Sequence, residues 1–332
     1  MRRLPSVLAL ALAAAGSALL PGPAAVASGL PGTSTFVIED PRITESSGLA
    51  ASRAHPGVYW THNDSDDGPY VYGVDSATGR TVARVTMTGV GRPRDVEAIS
   101  LGPDGQLYVG DIGDNRDGTW KHVWIYRFPE PERLGDVTVE ATQFTVRYAD
   151  GPRDAEALMV HPKTGRVYIA SKHKETGGLY EGPERLSAAG PNTFRRIAGV
   201  PWVTDGAFSP DGTALTLRGY LWARTFPWRD GRPQGEGERL DAPFQGQAES
   251  AAYSADGSVL MFGAEGPRSE VLALPVKPGG TASAAPPRPG ATPGAASPEP
   301  APPSGDFAVG AVALAAATAV WLGLRALFRR RA

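Results

Sequence analysis

Residues 95–111 read Asp-Val-Glu-Ala-Ile-Ser-Leu-Gly-Pro-Asp-Gly-Gln-Leu-Tyr-Val-Gly-Asp. The β-type runs on either side of the Gly-Pro-Asp-Gly turn predict two antiparallel strands. The pattern recurs at 154–170 and 247–262, and in weaker form at 46–60 and 203–217. The chain is therefore predicted to repeat a β-hairpin unit along most of its length.

The spacing of the repeats predicts the fold. With the turn as reference, successive copies lie 47, 59, 48 and 45 residues apart. A period of about 40–50 residues with several strands per unit is typical of β-propeller blades. The outer strand of the second repeat is expected near residues 138–148. The sequence predicts an all-β, five-bladed β-propeller, with six blades as the alternative if the longest interval contains a degenerate blade.

The two ends of the repeat region are complementary. The fifth repeat ends after its third strand, at Val276, whereas Thr35–Glu39 is a β-type run before the first repeat with no partner there. An N-terminal strand that completes the last blade closes the ring and removes an exposed sheet edge. We therefore expect residues 35–39 to form the outer strand of the last blade.

The chain termini have the composition of targeting segments. Residues 1–27 combine arginines, an apolar run and a small-residue site, which is the layout of a secretory signal peptide. Residues 278–305 are rich in Pro and Ala and are predicted to be a disordered stalk. Residues 306–328 contain an apolar stretch long enough for a transmembrane helix, and an Arg-rich tail follows at 329–332. Because arginines stay cytoplasmic, residues 28–277 are predicted to be the extracellular domain of a single-pass type I protein of the cell membrane.

Charge and cysteine content exclude several classes of protein. Residues 28–277 carry 26 basic and 33 acidic side chains, a net charge of −7, which disfavours a nucleic-acid partner. The chain contains no cysteine, which excludes disulfide scaffolds, thiolate metal sites and a cysteine nucleophile. We expect the C-terminal helix to contact the membrane, and the ligand to be an extracellular small molecule, glycan or protein.

Acidic residues stand at matched positions of the repeats. Glu97, Glu156 and Glu249 each precede the turn of their repeat by six residues. The first strand of a propeller blade lines the central channel, so these glutamates are expected to meet at one end of it, the channel mouth. In the first repeat we assign the matching place to Ser47, with Glu45 two residues earlier.

Carboxylates that lie close together must be protonated, paired with cations or bound to a metal. Oxygen ligands without thiolates favour a hard cation such as calcium. The predicted metal ligands are Glu45, Glu97, Glu156, Glu249 and Asp111. The alternative is that arginines neutralise the carboxylates, and the available ones are Arg94, Arg153 and Arg218.

The loops after the second strands add polar residues to the same mouth. The candidate ligand-binding residues there are Asn63, Asp114, Asn115, Lys172, His173, Arg218 and Glu265. The candidates for activating a water molecule are His62 and Asp64. The sequence contains no G-x-S-x-G, phosphate loop or H-E-x-x-H motif.

Several runs resemble known proteins: Glu45-Ser-Ser-Gly-Leu, Trp60-Thr-His-Asn-Asp-Ser, Asp95-Val-Glu-Ala-Ile, Gly110-Asp-Ile-Gly-Asp-Asn and Asp154-Ala-Glu-Ala-Leu. Over about residues 36–276 the chain resembles secreted or membrane-anchored bacterial β-propeller proteins described as WD40-like, which have no assigned activity. The carboxylates of the mouth are more distantly similar to those of calcium-dependent propeller hydrolases of the lactonase and phytase-like kinds.

Two functions follow from these patterns. The first is a surface-tethered binding or interaction module with an acidic mouth, which needs no catalytic group. The alternative is a calcium-dependent hydrolase of an ester, lactone or phosphoester, in which the glutamates hold the metal and His62 or Asp64 activates water. We favour binding, because no complete catalytic constellation is present and a fold alone does not define a function.

Overall fold

The computed structural model describes residues 30–65, 67–116, 118–175 and 177–277, whose regular elements are all strands. The all-β class of this region is as predicted. The predicted signal peptide, stalk, transmembrane helix and tail lie outside the described residues. Within the described ranges the structure contains no helix that could serve as a membrane span.

The described strands form four hydrogen-bonded sheets, and the eight-stranded one consists of two antiparallel units joined by a parallel pair of strands. Along the chain these sheets therefore divide into five antiparallel units. The strands of the first unit are β2 (Ala50–Ala51), β3 (Val58–Thr61), β4 (Tyr70–Asp75) and β5 (Arg80–Thr88). The second unit comprises β6 (Val96–Leu101), β7 (Gln106–Asp111), β8 (Val123–Pro129) and β10 (Thr142–Tyr148). The third comprises β11 (Ala155–Val160), β12 (Val167–Ser171), β13 (Gly178–Glu181) and β14 (Asn192–Gly199).

The last two units follow the same order. The fourth contains β15 (Asp205–Phe208), β16 (Ala214–Gly219), β17 (Trp222–Arg229), β18 (Arg232–Pro233) and β19 (Glu238–Arg239). The fifth contains β20 (Ala248–Tyr253), β21 (Val259–Ala264) and β22 (Glu270–Pro275), and its fourth strand is β1 (Phe36–Val37) from the N-terminal side.

The N-terminal strand pairs where the sequence predicts. Phe36 lies opposite Val271 and Val37 opposite Glu270 in the antiparallel β1–β22 pair. The Ile38 amide extends the pairing by donating to the Ser269 carbonyl at 2.9 Å. The predicted completion of the last unit by an N-terminal strand is therefore confirmed, with β1 covering two of the five expected residues.

The second unit contributes a strand to its neighbour. β9 (Gly135–Glu140) pairs in parallel with β5 of the first unit. β10 pairs antiparallel with β8 of its own unit and in parallel with β14 of the third. A single outer strand over 138–148 is thus wrong: buried Ala141 separates two strands that join different sheets. Val137 and Val139 of β9 pack against the apolar cluster between the first two units. The extra residues of the 59-residue interval include this strand.

Neighbouring units pack face to face. Contacts between first strands connect β2 to β6, β6 to β11, β11 to β15, β15 to β20 and β20 back to β2. Apolar side chains fill the space between consecutive sheets. Between the third and fourth units the Trp228 ring centroid lies 5.0 Å from that of Tyr168 and 4.9 Å from that of Phe208, both edge to face. The first strands therefore lie side by side around one centre, where their polar residues can meet.

Candidate functional site

The three matched glutamates each lie at a β-bulge. In the β6–β7 pair the register shifts between Val96 and Ala98, so Glu97 is the extra residue. The β11–β12 and β20–β21 pairs shift in the same way around Glu156 and Glu249. A bulge leaves one residue outside the regular ladder and re-aims its side chain. The repeated bulge thus gives all three glutamates a common local geometry.

Three carboxylates from two units converge at the first strand of the second unit. Asp64, Asp95 and Glu97 each offer an oxygen atom, and these atoms all lie within 4.8 Å of one another. We call these three residues the acidic group. Asp95 and Glu97 are 5% and 4% exposed, so two of the three carboxylates are almost entirely removed from bulk water.

Neighbouring groups hold the acidic group in place. The Asn115 side-chain amide donates to Asp95 Oδ2 at 2.8 Å, and the Ser47 hydroxyl donates to Glu97 Oε2 at 3.1 Å. A Cβ atom on Gly113 would lie 2.6 Å from Glu97 Oε1 and 2.7 Å from Asp95 Oδ2. The absence of a side chain at Gly113 is therefore what allows the two carboxylates to come together.

The crowding changes the protonation of the acidic group. Burial, followed by the charge of Asp95 and a hydrogen bond to it, raises the pKa of Asp64 to about 9. Burial also raises the pKa of Asp95, and it raises that of Glu97 well above the ordinary value, with Asp64 and Glu156 adding to the effect on Glu97. Without a cation the group therefore favours protonated carboxyls at neutral pH.

The other two matched glutamates form a second cluster. Glu156 and Glu249 are 2% and 5% exposed and interact with each other and with Lys172, whose ammonium forms a salt bridge with Glu156 Oε1. We call Glu156, Glu249 and Lys172 the lysine group. Burial lowers the pKa of Lys172, but the charges of Glu156 and Glu249 outweigh it and hold that pKa well above its ordinary value. The amine is therefore charged.

A cavity of about 430 Å³ adjoins the lysine group. Its lining residues are Asp154, Lys172, His173, Lys174, Glu175 and Trp202. The Lys174 ammonium lies 4.6 Å from the Trp202 ring centroid, and Lys172 lies 5.2 Å from that of Tyr220. Lys172 therefore connects the buried glutamates to an open depression that His173 also lines.

The candidate Arg218 lies at the junction of the fourth and fifth units, within electrostatic range of Glu249. Arg218 is buried opposite Asp205 and donates to the carbonyls of Ser250 and Gly263 and to Gln245 Oε1, at 2.8, 3.1 and 2.7 Å. Burial lowers its pKa to about 10 although the charge of Glu249 opposes this. Its main contacts thus join the fourth and fifth units.

Two predicted aspartates bind backbone amides. Asp111 accepts hydrogen bonds from the Arg94 and Asp95 amides at 3.1 and 3.0 Å and from the Tyr126 hydroxyl at 2.6 Å. Asp114 accepts from the Trp120 amide at 2.6 Å. Asp111 was predicted to be a metal ligand but lies outside the acidic group. Its oxygens instead bind the backbone amides of the two residues that precede β6.

Three further candidates, Asn63, Glu45 and Glu265, lie near Asp64. Asn63 Oδ1 accepts the amides of Thr44 and Glu45, both at 3.0 Å, and so ties the N-terminal segment to the β3–β4 loop. The Glu45 carboxylate accepts the Ser65 hydroxyl at 3.1 Å, and Glu265 accepts the Gln247 amide. The charges of Glu45 and Glu265 both raise the pKa of Asp64, so each lies within electrostatic range of it.

His62 is a buried, neutral histidine. It is 1% exposed, and burial lowers its pKa to about 4. Its Nδ1 lies 3.3 Å from the Asn63 carbonyl oxygen, and a Cβ on Gly48 would lie 2.7 Å from its Nε2. The imidazole is thus enclosed by the chain instead of lining the mouth.

Asp95 is a member of the acidic group that was not among the residues predicted from the sequence. The signal was present, because Asp95 and Glu97 stand two residues apart, as do Asp154 and Glu156. Residues two apart in a strand lie on the same face. Asp154 is held differently, since its Oδ1 accepts the Asp114 amide at 2.8 Å.

No protein-family model matches the chain, and no curated protein matches it. Among solved structures it is similar to a PQQ-bound aldose sugar dehydrogenase from Streptomyces coelicolor, with 14% identity over 74% of this chain and 100% of that chain and a TM-score of 0.44. It is also similar to a gluconolactonase from Xanthomonas campestris, with 16% identity over 73% of this chain and 89% of that chain and a TM-score of 0.43. At this similarity no residue role passes from either protein to this chain.

Proposed function

We propose that the acidic group binds one divalent cation, and that the protein is a surface-tethered β-propeller that uses this cation to bind an extracellular ligand. The observation that carries the proposal is the approach of three carboxylate oxygens to within 4.8 Å. Among the described residues no Lys or Arg forms a salt bridge with Asp95 or Glu97. A bound cation would remove the repulsion that otherwise requires protonation.

Calcium is the cation that the donors favour. It accepts six to eight oxygen ligands, and carboxylates are its usual protein ligands. The acidic group supplies three carboxylates, and Glu45 and Glu265 add negative charge nearby. Coordination positions that the chain does not fill are open to water or to oxygen atoms of a ligand, which is how a metal at the mouth would contribute to binding.

The geometry supports binding better than hydrolysis. Of the two candidates for activating water, Asp64 belongs to the acidic group itself and His62 is enclosed by the chain. A metal-dependent hydrolase needs a base beside the metal-bound water, in addition to the ligands. The calcium-dependent hydrolase therefore stays the alternative, without an assigned base.

The proposed propeller has five blades. Its support is the set of five antiparallel units, the closed order of contacts between their first strands, and the completion of the fifth unit by β1. The proposed surface tether rests on the sequence, through the signal-peptide layout of 1–27, the stalk at 278–305 and the apolar stretch at 306–328.

Calcium-dependent thermal stability tests the proposal. A ligand that binds only the folded state stabilises it by about 2.7 kcal/mol at a hundredfold excess over its dissociation constant. Calcium should therefore raise the melting temperature of the purified full-length protein. Glu97→Gln keeps the shape of the side chain but removes its charge, and should lose most of this rise.

The matched control is Glu132→Gln, which changes an exposed glutamate in the loop before β9 and should keep the full response to calcium. A parent protein whose melting temperature does not respond to calcium would refute the proposed site. An equal response in parent and Glu97→Gln would place the ion elsewhere.

A further inference from the structure

The lysine group repeats the bulge of the acidic group but contains its own cation. Glu156 and Glu249 occupy the bulge position that Glu97 occupies in the second unit. Glu156 Oε2 and Glu249 Oε2 are buried and have no hydrogen-bond partner among the described residues. Buried polar atoms without a partner are rare in proteins, and each needs an explanation such as an ion. Here one oxygen of the pair already contacts the Lys172 ammonium.

Lys172, the cation of the lysine group, stands at a position that is not basic in the second and fifth units. Lys172 directly follows β12, whereas the residue after β7 is Ile112 and the residue after β21 is Glu265. The third unit is therefore the one of these three that places a positive charge next to its bulge glutamate. An ammonium is a compact charge on a flexible stem, so it can occupy the place of a small ion between carboxylates.

We infer that Glu156 and Glu249 form a second cation site, that Lys172 occupies it, and that Lys172 thereby limits the mouth to one divalent ion. The inference rests on the proposed function, since it concerns the number of ions that the same mouth accepts. The class of ligand is a divalent, oxygen-preferring cation such as calcium. Lys172 is then the residue that determines how many ions bind and where.

This arrangement has a consequence for ligand binding. A tethered ammonium offsets part of the negative charge of Glu156 and Glu249 without depending on the calcium concentration. The exchangeable ion is then confined to the acidic group, between Asp64, Asp95 and Glu97. One ion at a defined position gives a ligand a fixed point of attachment, whereas two ions in one channel would also repel each other.

Calorimetric titration with calcium chloride measures the number of ions per chain. For the purified full-length protein we expect one ion, and for Lys172→Met we expect two. Lys172→Arg keeps the charge and should bind one. The matched control is Lys174→Met, the same substitution at an exposed lysine two residues away, which should also bind one. In the double variant Lys172→Met with Glu156→Gln the number should return to one.

Each outcome is decisive. If the parent and Lys172→Met both bind one ion with equal affinity, the inference is wrong and the proposed function stands. If the parent binds none and Lys172→Met binds one, the acidic group is not the site and the proposed function fails, but Lys172 still occupies a cation site between Glu156 and Glu249. If neither binds calcium, both fail. Should Lys172→Met not fold, Lys172→Gln replaces it, because its amide can still donate to Glu156.

Discussion

The Arg94 guanidinium lies 3.7 Å from the ring centroid of Trp124 and forms no salt bridge with Glu97, three residues further along the chain. Trp120 lies at 3.8 Å from the same guanidinium, and Arg94 Nη2 donates to the His122 carbonyl at 3.0 Å. Arg153 is held similarly, over the Tyr180 ring and against Asp150. Arg94 and Arg153 are two of the three arginines that the sequence offered as counter-ions, and neither forms a salt bridge with Glu97 or Glu156. Glu156 pairs with Lys172 instead.

Arg94→Gln should therefore lower stability without affecting calcium. The loss of the contacts with Trp120 and Trp124 should cost about 0.5–2 kcal/mol, the range for cation–π contacts. Chemical denaturation measures this loss, and thermal melts with and without calcium measure the response to the ion. Arg92→Gln, at an exposed neighbouring arginine, should change neither quantity. A reduced calcium response in Arg94→Gln alone would give Arg94 a role in the site.

The stability of the metal-free protein should fall as pH rises. The pKa of Asp64 is about 9 in the folded state against an ordinary value of 3.8, so the folded state holds the proton more tightly. The resulting stabilisation is full below about pH 4 and is lost as pH rises towards 9. The raised pKa values of Glu97 and Asp205 act in the same direction.

Melting temperatures from pH 4 to 9 in a chelator check this prediction. The decline should be smaller in Asp64→Asn, which cannot lose the proton, and smaller in the parent with calcium, which replaces it. Burial lowers the pKa of His62, so the effect of this residue on stability has the opposite sign. The stability that neutral His62 contributes is lost as pH falls from 6.5 towards 4. An identical decline in parent and Asp64→Asn would contradict the assignment.

Gly113→Ala should disrupt the acidic group directly. The new Cβ would lie 2.6 Å from Glu97 Oε1 and 2.7 Å from Asp95 Oδ2, closer than van der Waals contact allows, so the carboxylates must move apart. We expect the apparent affinity for calcium to fall at least tenfold, as measured from the rise in melting temperature at increasing calcium concentrations. Gly91→Ala is the control, because a Cβ there meets no atom within 4 Å. Equal calcium affinity in both variants would show that Gly113 does not shape the site.

Removal of β1 should open the fifth unit. Deletion of residues 35–39 exposes the edge of β22, and an exposed edge promotes pairing with other chains. Thermal melts and size-exclusion chromatography should show lower stability and aggregation. Phe36→Ala, at a buried ring 5.7 Å from Tyr59, should cost about 3–5 kcal/mol, whereas Leu30→Ala at an exposed side chain should cost little. A monodisperse, equally stable deletion variant would argue against closure by β1.

Protease treatment of intact cells tests the predicted topology. If the chain is a type I membrane protein, cleavage in the stalk at 278–305 should release a fragment that begins near Ser28. An antibody against residues 28–277 detects the fragment in the medium, and a cytoplasmic protein serves as the lysis control. Complete protection of the protein on intact cells would refute an extracellular domain.

The sequence by itself determined the repeated strands and the closure of the last unit. Gly-Pro-Asp-Gly turns and alternating apolar residues act locally, so each hairpin can be recognised from about fifteen neighbouring residues. The unpaired run at 35–39 and the missing strand after Val276 are likewise visible in the sequence, because together they complete one blade. Matched spacing also identified Glu97, Glu156 and Glu249 as equivalent residues.

Only the tertiary structure decided which of these carboxylates meet. The bulges re-aim the glutamates, and loops of different units place their neighbours. Asp64 and Asp95 lie beside Glu97, whereas Lys172 lies beside Glu156 and Glu249. The division of residues 135–148 between two sheets was decided in the same way. The physical reason is that these contacts join residues far apart in sequence, so their energy depends on how whole sheets pack and on which charges burial brings together, and neither is encoded in a local pattern.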